Sequence, residues 1–171
     1  MAGIVLSTTG KYTSAGNSNN NLLNPETFCL AQNIYFESRN ESTAGMIAVG
    51  QVTYNRVKSQ QFPNTICEVV YQGPVTESWK TKRNVDLPKD KREYYPIRNK
   101  CQFSWYCDGT PDDIRNAKVF SEIYVLAAEI EKGFIPDITD GATHYHADYV
   151  SPRWANELKR TVKIDTHIFY K

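Results

Sequence analysis

The triplet Asn24-Pro25-Glu26 constrains the fold of this chain more than any other feature of the sequence. An Asn side chain takes a free backbone N–H at a helix start, and proline suits the first helical position, where its missing N–H is not needed. An acid in the first turn complements the helix dipole. Phe28, Ala31, Ile34, Tyr35 and Ser38 follow at helical spacing, which predicts a helix with one buried stripe. Asn40 tolerates positive φ and is expected to end it in a left-handed turn. A second helix is expected from about Ser42, with Ala44, Ile47, Ala48 and Val52 on one face and Asn55-Arg56 near its end. Thr110-Pro111-Asp112-Asp113 repeats the start signal. It predicts a third helix through Ile114, Ala117, Ser121, Tyr124 and Ala128, closed by Lys132-Gly133. Thr161 to Tyr170 reads as short strands around a turn at Asp165-Thr166. The expected class is α+β, mostly helical with a small β element.

Residues 1–23 are polar and without period, so a flexible arm is expected there and a folded domain over 24–171. Between Gly73 and Lys100 the period also vanishes. Eight Lys and Arg stand there against four acids, beside Trp79, Tyr94 and Tyr95, which predicts a long basic surface loop. The whole chain, at 171 residues and +1 net, is one domain long and too near neutral to grip nucleic acid by a global field. No run approaches the roughly 20 apolar residues of a membrane span. Met1 to Gly10 lacks the positive and apolar regions of an export signal. Cys29, Cys67, Cys101 and Cys107 form no CxxC pair, and without an export signal reduced thiols are the expectation.

Three segments combine reactive groups with aromatic neighbours. In Tyr35-Phe36-Glu37-Ser38-Arg39-Asn40-Glu41, a carboxyl held against aromatic surface near a helix C-terminus is pushed to a higher pKa and can keep a proton to give to a leaving oxygen. Arg39 opposes this if it pairs with Glu37 or Glu41. From spacing alone an ordinary surface glutamate is the commoner reading. In Gln102-Phe103-Ser104-Trp105-Tyr106-Cys107-Asp108-Gly109, rings interleaved with amide and hydroxyl groups suit a sugar-binding wall, and a core strand fits equally. In Gly141-Ala142-Thr143-His144-Tyr145-His146, two histidines fall on one side of a strand. A metal pair would still need a third ligand, and no HExxH partner is present.

The order and wording of these segments resemble the SleB-type cell-wall hydrolases, the family of spore-cortex lytic enzymes and related phage lysins. The resemblance runs from Phe28 to Tyr170. It is carried by Ala31-x-x-Ile34-Tyr35-x-Glu37-x-Arg39-x-Glu41, Ala48-Val49, Asn55-Arg56-Val57, Phe62-Pro63 and Cys67-Glu68-Val69-Val70-Tyr71-Gln72. Gln102-Phe103-Ser104-Trp105, Asp108-Gly109, Gly141 to His146, Pro152-x-Trp154 and His167-Ile168-Phe169-Tyr170 complete it. The family commonly has Ala at Ser38, Gly at Asn40 and a glycine near Asp165, and the stretch from Gln72 to Gln102 is longer here than in many members.

The resemblance implies a lysozyme and lytic-transglycosylase-like fold and cleavage of the MurNAc–GlcNAc bond of peptidoglycan. It places the single catalytic acid at Glu37. Gln102, Ser104, Trp105, Tyr145 and Ser38 are then the expected substrate-binding residues, with no metal or cofactor and a monomer as the acting form. Glu37 would protonate the glycosidic oxygen and, once ionised, draw a proton from the muramoyl 6-hydroxyl to close a 1,6-anhydro ring. A hydrolytic version needs a second acid, with Asp108, Asp112 and Asp140 as candidates. A zinc amidase built on His144 and His146, or a wall-binding module without catalysis, are the competing classes. The absent export signal implies release through a holin-type pore or carriage on a phage particle, and the basic loop implies salt-sensitive attraction to anionic wall or outer-membrane polymers.

Overall fold

The computed structural model describes residues 23–171, and the expectation for the arm lies, but for Leu23, outside them. The first helix, α1 (Pro25–Ser38), begins where the sequence placed it: the Asn24 side chain accepts from Glu26 N and Thr27 N. It is more deeply buried than one stripe would make it. Cys29, Leu30, Ala31, Gln32, Asn33, Ile34 and Tyr35 are consecutive and all buried, because α1 runs through the centre of the helical layer. Around it pack α2 (Thr43–Lys58), α3 (Ile66–Val70) and α5 (Ala117–Glu131). Asn40 is not left-handed. Arg39 caps α1 in the right-handed region, and a turn from Glu41 N to Ser38 O (2.9 Å) carries the chain to Ser42, the N-cap of α2.

The buried face of α2 is Gly45, Ala48, Val49, Val52 and Arg56, with Ala44 exposed, a correction of about one residue to the expected face. Gly50 lets α2 approach closely: a Cβ there would lie 2.7 Å from Ile130 Cδ1 and 2.8 Å from Ile34 Cδ1. The expected start of the third helix at Thr110 is also corrected. Both the backbone N–H and hydroxyl of Thr110 donate to Asp108 Oδ1 (2.7 Å each), which makes a turn of the cap-like sequence. The helix starts at Ala117, capped by Asn116, whose own N–H is held by the Tyr35 hydroxyl (3.2 Å). Its core face is Ile123, Ala127 and Ile130, not Ala117, Ser121 and Ala128, and Gly133 at φ +72° closes it as expected.

Gly73 to Lys100 is mostly exposed, as expected, with Ser78 and Thr81 buried, but it is not an irregular loop. Strands β1 (Val75–Glu77) and β2 (Tyr94–Pro96) pair antiparallel, and α4 (Trp79–Lys82) and a 3-10 turn at Lys89–Lys91 fill the connection. A second sheet has the order β3-β5-β4, from β3 (His144–Ala147), β4 (Arg160–Ile164) and β5 (His167–Tyr170), all antiparallel. Phe169 of β5 is fully buried with Ala48, Val52 and Ala142, which seats the sheet on α2. The β4–β5 turn is the one expected, and Asp165 adopts φ +49° there. Its carboxylate accepts from Ser42 N (3.1 Å) and Ser42 Oγ, tying the turn to the N-terminus of α2.

The cysteines correct the expectation of free thiols. Cys29–Cys67 joins α1 to α3 and Cys101–Cys107 closes a six-residue separation, leaving none free. No described helix is long and apolar enough to cross a membrane.

Candidate active site

The last turn of α1 delivers Glu37 to a small open cleft lined also by Arg56, Gln102, Phe103, Ser104 and Tyr145. Four chain segments meet there: α1, α2, the 102–104 stretch and β3. Enclosing about 160 Å³, the cleft is smaller than the 300–1,000 Å³ of ordinary small-molecule sites, so it grips only a short part of a ligand. Glu37 is its single carboxylate. Asp108 is engaged by Thr110 and Asp140 by Lys171 (2.8 Å), and neither these nor Asp112 line the cleft.

Burial raises the Glu37 pKa above the usual carboxylate value, while a hydrogen bond from Tyr145 and the positive charge of Arg56 pull it back down. The Tyr145 hydroxyl donates to Glu37 Oε2 at 2.9 Å, which leaves Oε1 to carry a proton. Tyr145 is itself pushed well above the usual tyrosine value, by burial first and then by the Glu37 charge, so it stays a donor. Strand alternation fixes its direction. Tyr145 lies opposite Phe169 and points to the core, its ring also against His167 (5.1 Å between centroids). His144 and His146 take the other face, both against Trp154.

Sequence reasoning passed over Arg56 as a site residue. The residue is 5% exposed, and its guanidinium donates through Nε to Thr143 O (2.7 Å) and lies over the rings of Phe62 and Phe103 (5.1 and 5.2 Å). One terminal nitrogen, Nη1, is buried without an acceptor. Arg39, by contrast, forms no ion pair with Glu37 or Glu41. It sits over the Tyr35 ring (5.0 Å) and donates to Tyr35 O, while Glu41 accepts from Thr166. The structure therefore brings Glu37, Gln102, Ser104 and Tyr145 together, and it does not bring Trp105 or Ser38 into the cleft. Ser38 is buried and its hydroxyl returns to Ile34 O (2.9 Å). Trp105, 8% exposed, stacks on Phe36 (4.6 Å) and donates through Nε1 to Asn33 Oδ1 (2.9 Å). Asn33 in turn donates to Thr53 Oγ1 (3.0 Å), so this buried chain of bonds anchors the 102–107 segment to α1 and α2.

His144 meets Thr143 Oγ1 through Nδ1 (3.0 Å), and His146 meets the Tyr170 hydroxyl through Nε2 (2.9 Å). Among the described residues no three His, Cys, Asp or Glu side chains converge on a point that would hold a metal ion.

Residues 40–170 match the protein family described as Cell Wall Hydrolase, a stretch that begins just after Glu37. Among solved structures the chain is similar to the catalytic domain of the germination-specific lytic transglycosylase SleB from Bacillus anthracis. The two are 24% identical over 90% of this chain and 100% of that one, with a TM-score of 0.57, a likeness of fold. It is also similar to the catalytic domain of the Bacillus cereus SleB protein, at 25% identity over 92% and 99% of the two chains and a TM-score of 0.50. No curated protein matches it.

Proposed function

The chain belongs to the cell wall hydrolase family, and from that premise we propose that it cuts the glycan strand of peptidoglycan at the MurNAc–GlcNAc β-1,4 bond as a lytic transglycosylase. The observation that carries this reading is Glu37: one carboxyl, raised in pKa by burial, alone of its kind in the cleft. Protonated on Oε1, Glu37 gives its proton to the bridging oxygen as the bond to muramoyl C1 breaks and positive charge spreads over C1 and the ring oxygen. The carboxylate left behind takes the proton of the muramoyl 6-hydroxyl. That oxygen then bonds C1, the 1,6-anhydro ring closes, and Glu37 is again protonated. No water enters, and no second acid is called on.

Arg56 and Tyr145 support the ionised half of this cycle. Negative charge grows on Glu37 as its proton leaves, and it grows beside a fixed guanidinium that no described acid neutralises within ion-pair distance. Such preorganised charge needs no rearrangement at the moment of transfer. Gln102 and Ser104 supply amide and hydroxyl groups for the sugar hydroxyls. Mass spectrometry of digested sacculi tests the reading. Anhydromuramoyl ends are expected, and Glu37→Gln should release them about 10²–10⁴-fold more slowly. Reducing ends would replace the mechanism with hydrolysis, free stem peptides would replace it with amidase chemistry, and an active Glu37→Gln would remove Glu37.

Two disulfides support work in an oxidising space outside the cytoplasm. Delivery by a holin-type pore or on a phage particle is the route we propose, and export by the host's own machinery in a localisation assay would overturn it.

A further inference from the structure

We propose that the β1–β2 ribbon is a second contact surface for the substrate polymer, a cationic arm that binds the carboxylates of peptides attached to the glycan strand. The inference rests on the glycan-cutting reading above.

The arm is rooted in the cleft wall. Gln102, one of the residues lining the cleft, donates its backbone N–H to Gln72 O at 2.9 Å. One step outward, Gly73 presses on Cys101, where an added Cβ would lie 3.0 Å from Sγ and 3.1 Å from Cα. Ile97 N then bonds Pro74 O (2.9 Å), Val75 pairs with Pro96 and Glu77 with Tyr94, and Ser78 N closes on Glu93 O (2.8 Å). From Pro74 to Ser78 the pairing is continuous, five residues on the outgoing strand, about 16 Å at strand rise.

Its outer part presents exposed rings and cations. Trp79 is 64% exposed, Tyr94 52% and Tyr95 54%. Lys80, Lys82, Lys89 and Lys91 are exposed and make no ion pair among the described residues, and Arg83 lies over the Trp79 ring at 5.1 Å. Arg92 is different: it pairs with Glu77 (2.7 Å) and donates to Leu87 O and Val85 O, so it builds the turn. With Glu77 thus neutralised, cations exceed acids on the arm.

A ligand for such a surface is anionic, and because the arm grows from the cleft wall, that ligand is carried on the polymer being cut. Sugars of the strand offer hydroxyls and amides. The peptides branching from it offer carboxylates at a reach comparable with the arm's length. Exposed rings beside the cations suit the apolar faces of the same branches.

The test compares the full chain with the triple variant Lys80→Gln, Lys82→Gln, Arg83→Gln on two substrates. One is sacculi freed of phosphate-bearing wall polymers, and the other is glycan strands enzymatically stripped of peptide. The wild-type protein should show a KM about tenfold lower on the peptide-bearing substrate, and the difference should fade as salt rises. The triple variant should lose that preference on the peptide-bearing substrate, with kcat unchanged. A triple variant that keeps the preference overturns the proposal. A preference seen only when phosphate-bearing polymers are left on the wall assigns the arm to those polymers instead. If neither substrate is cut, the cleavage reading fails by itself. Sedimentation with the same sacculi then decides the arm: salt-sensitive pelleting lost in the triple variant supports it, and equal pelleting overturns it.

Discussion

Glu37 is held in a setting that favours its neutral form, and this has a sign that can be followed through stability. Its folded pKa is raised above the unfolded value, so its contribution to stability is complete below the unfolded carboxylate range and is lost as pH rises through the folded pKa. Glu37→Gln has no such dependence. The thermal midpoints of the two proteins, measured across pH, should diverge in favour of the Gln variant as pH rises and draw level again in acid. Tyr145→Phe removes a hydrogen bond that lowers the Glu37 pKa while keeping the ring against His167 and Phe169. The alkaline limb of the activity profile should therefore move to higher pH, and a limb that stays put would separate Tyr145 from the acid. Arg56 and the histidines His144 and His167 are the other titratable groups around this pair. Burial first, and then the charge of Arg56, lowers the pKa of His144, and burial lowers that of His167. Glu37 could be singled out from its motif, but the hydrogen bond it accepts from Tyr145 could not, because Tyr145 lies 108 residues away in sequence. Arg56 did leave a signal: it follows Val49 and Val52 on the buried face of α2, a cation where the period calls for an apolar residue.

At the scale of elements, the short 3-10 turn at Ser104–Cys107 sets the cleft wall, and Trp105 is its anchor. Trp105→Phe would keep much of the stacking on Phe36 but leave Asn33 Oδ1 without its donor, an expected loss of about 1–3 kcal/mol in denaturant unfolding. Because Gln102 and Ser104 ride on the same segment, KM should rise in that variant. An aromatic run cannot by itself say which ring faces sugar and which faces core. Trp105 read as a sugar platform because the tertiary partner that holds it, Asn33, is 72 residues distant. The starts of α1 and α2 were readable because a cap is a local bond between near neighbours. The start of α5 was misread because Asp108, two residues ahead of Thr110, turned the same cap sequence to another use. Strands of three residues, as in β1 and β2, are too short to display a period, so the ribbon read as a loop.

Across the whole molecule, α1 is the hub on which the other long helices pack, and Cys29–Cys67 fastens it to α3 across a sequence separation of 38. Chain-entropy arguments give a closed loop of that size about 4 kcal/mol of stabilisation. Reduction should lower the thermal midpoint and expose thiols to a thiol reagent, whereas the oxidised protein should show none from these four residues. Near-neutral charge is likewise a property of the whole and not of its parts, since the ribbon gathers cations that acids elsewhere balance. The central position of β5 bears on the order in which the protein is made whole. β3 has no sheet neighbour except β5, which arrives last of the three strands, after β4 and the turn at Asp165. Tyr145 therefore stays unpinned until β5 slots between its partners, a non-local closure of the kind that forms late. Until β5 is in place the strand that carries Tyr145 has no partner, and the hydrogen bond that lowers the Glu37 pKa depends on that pairing.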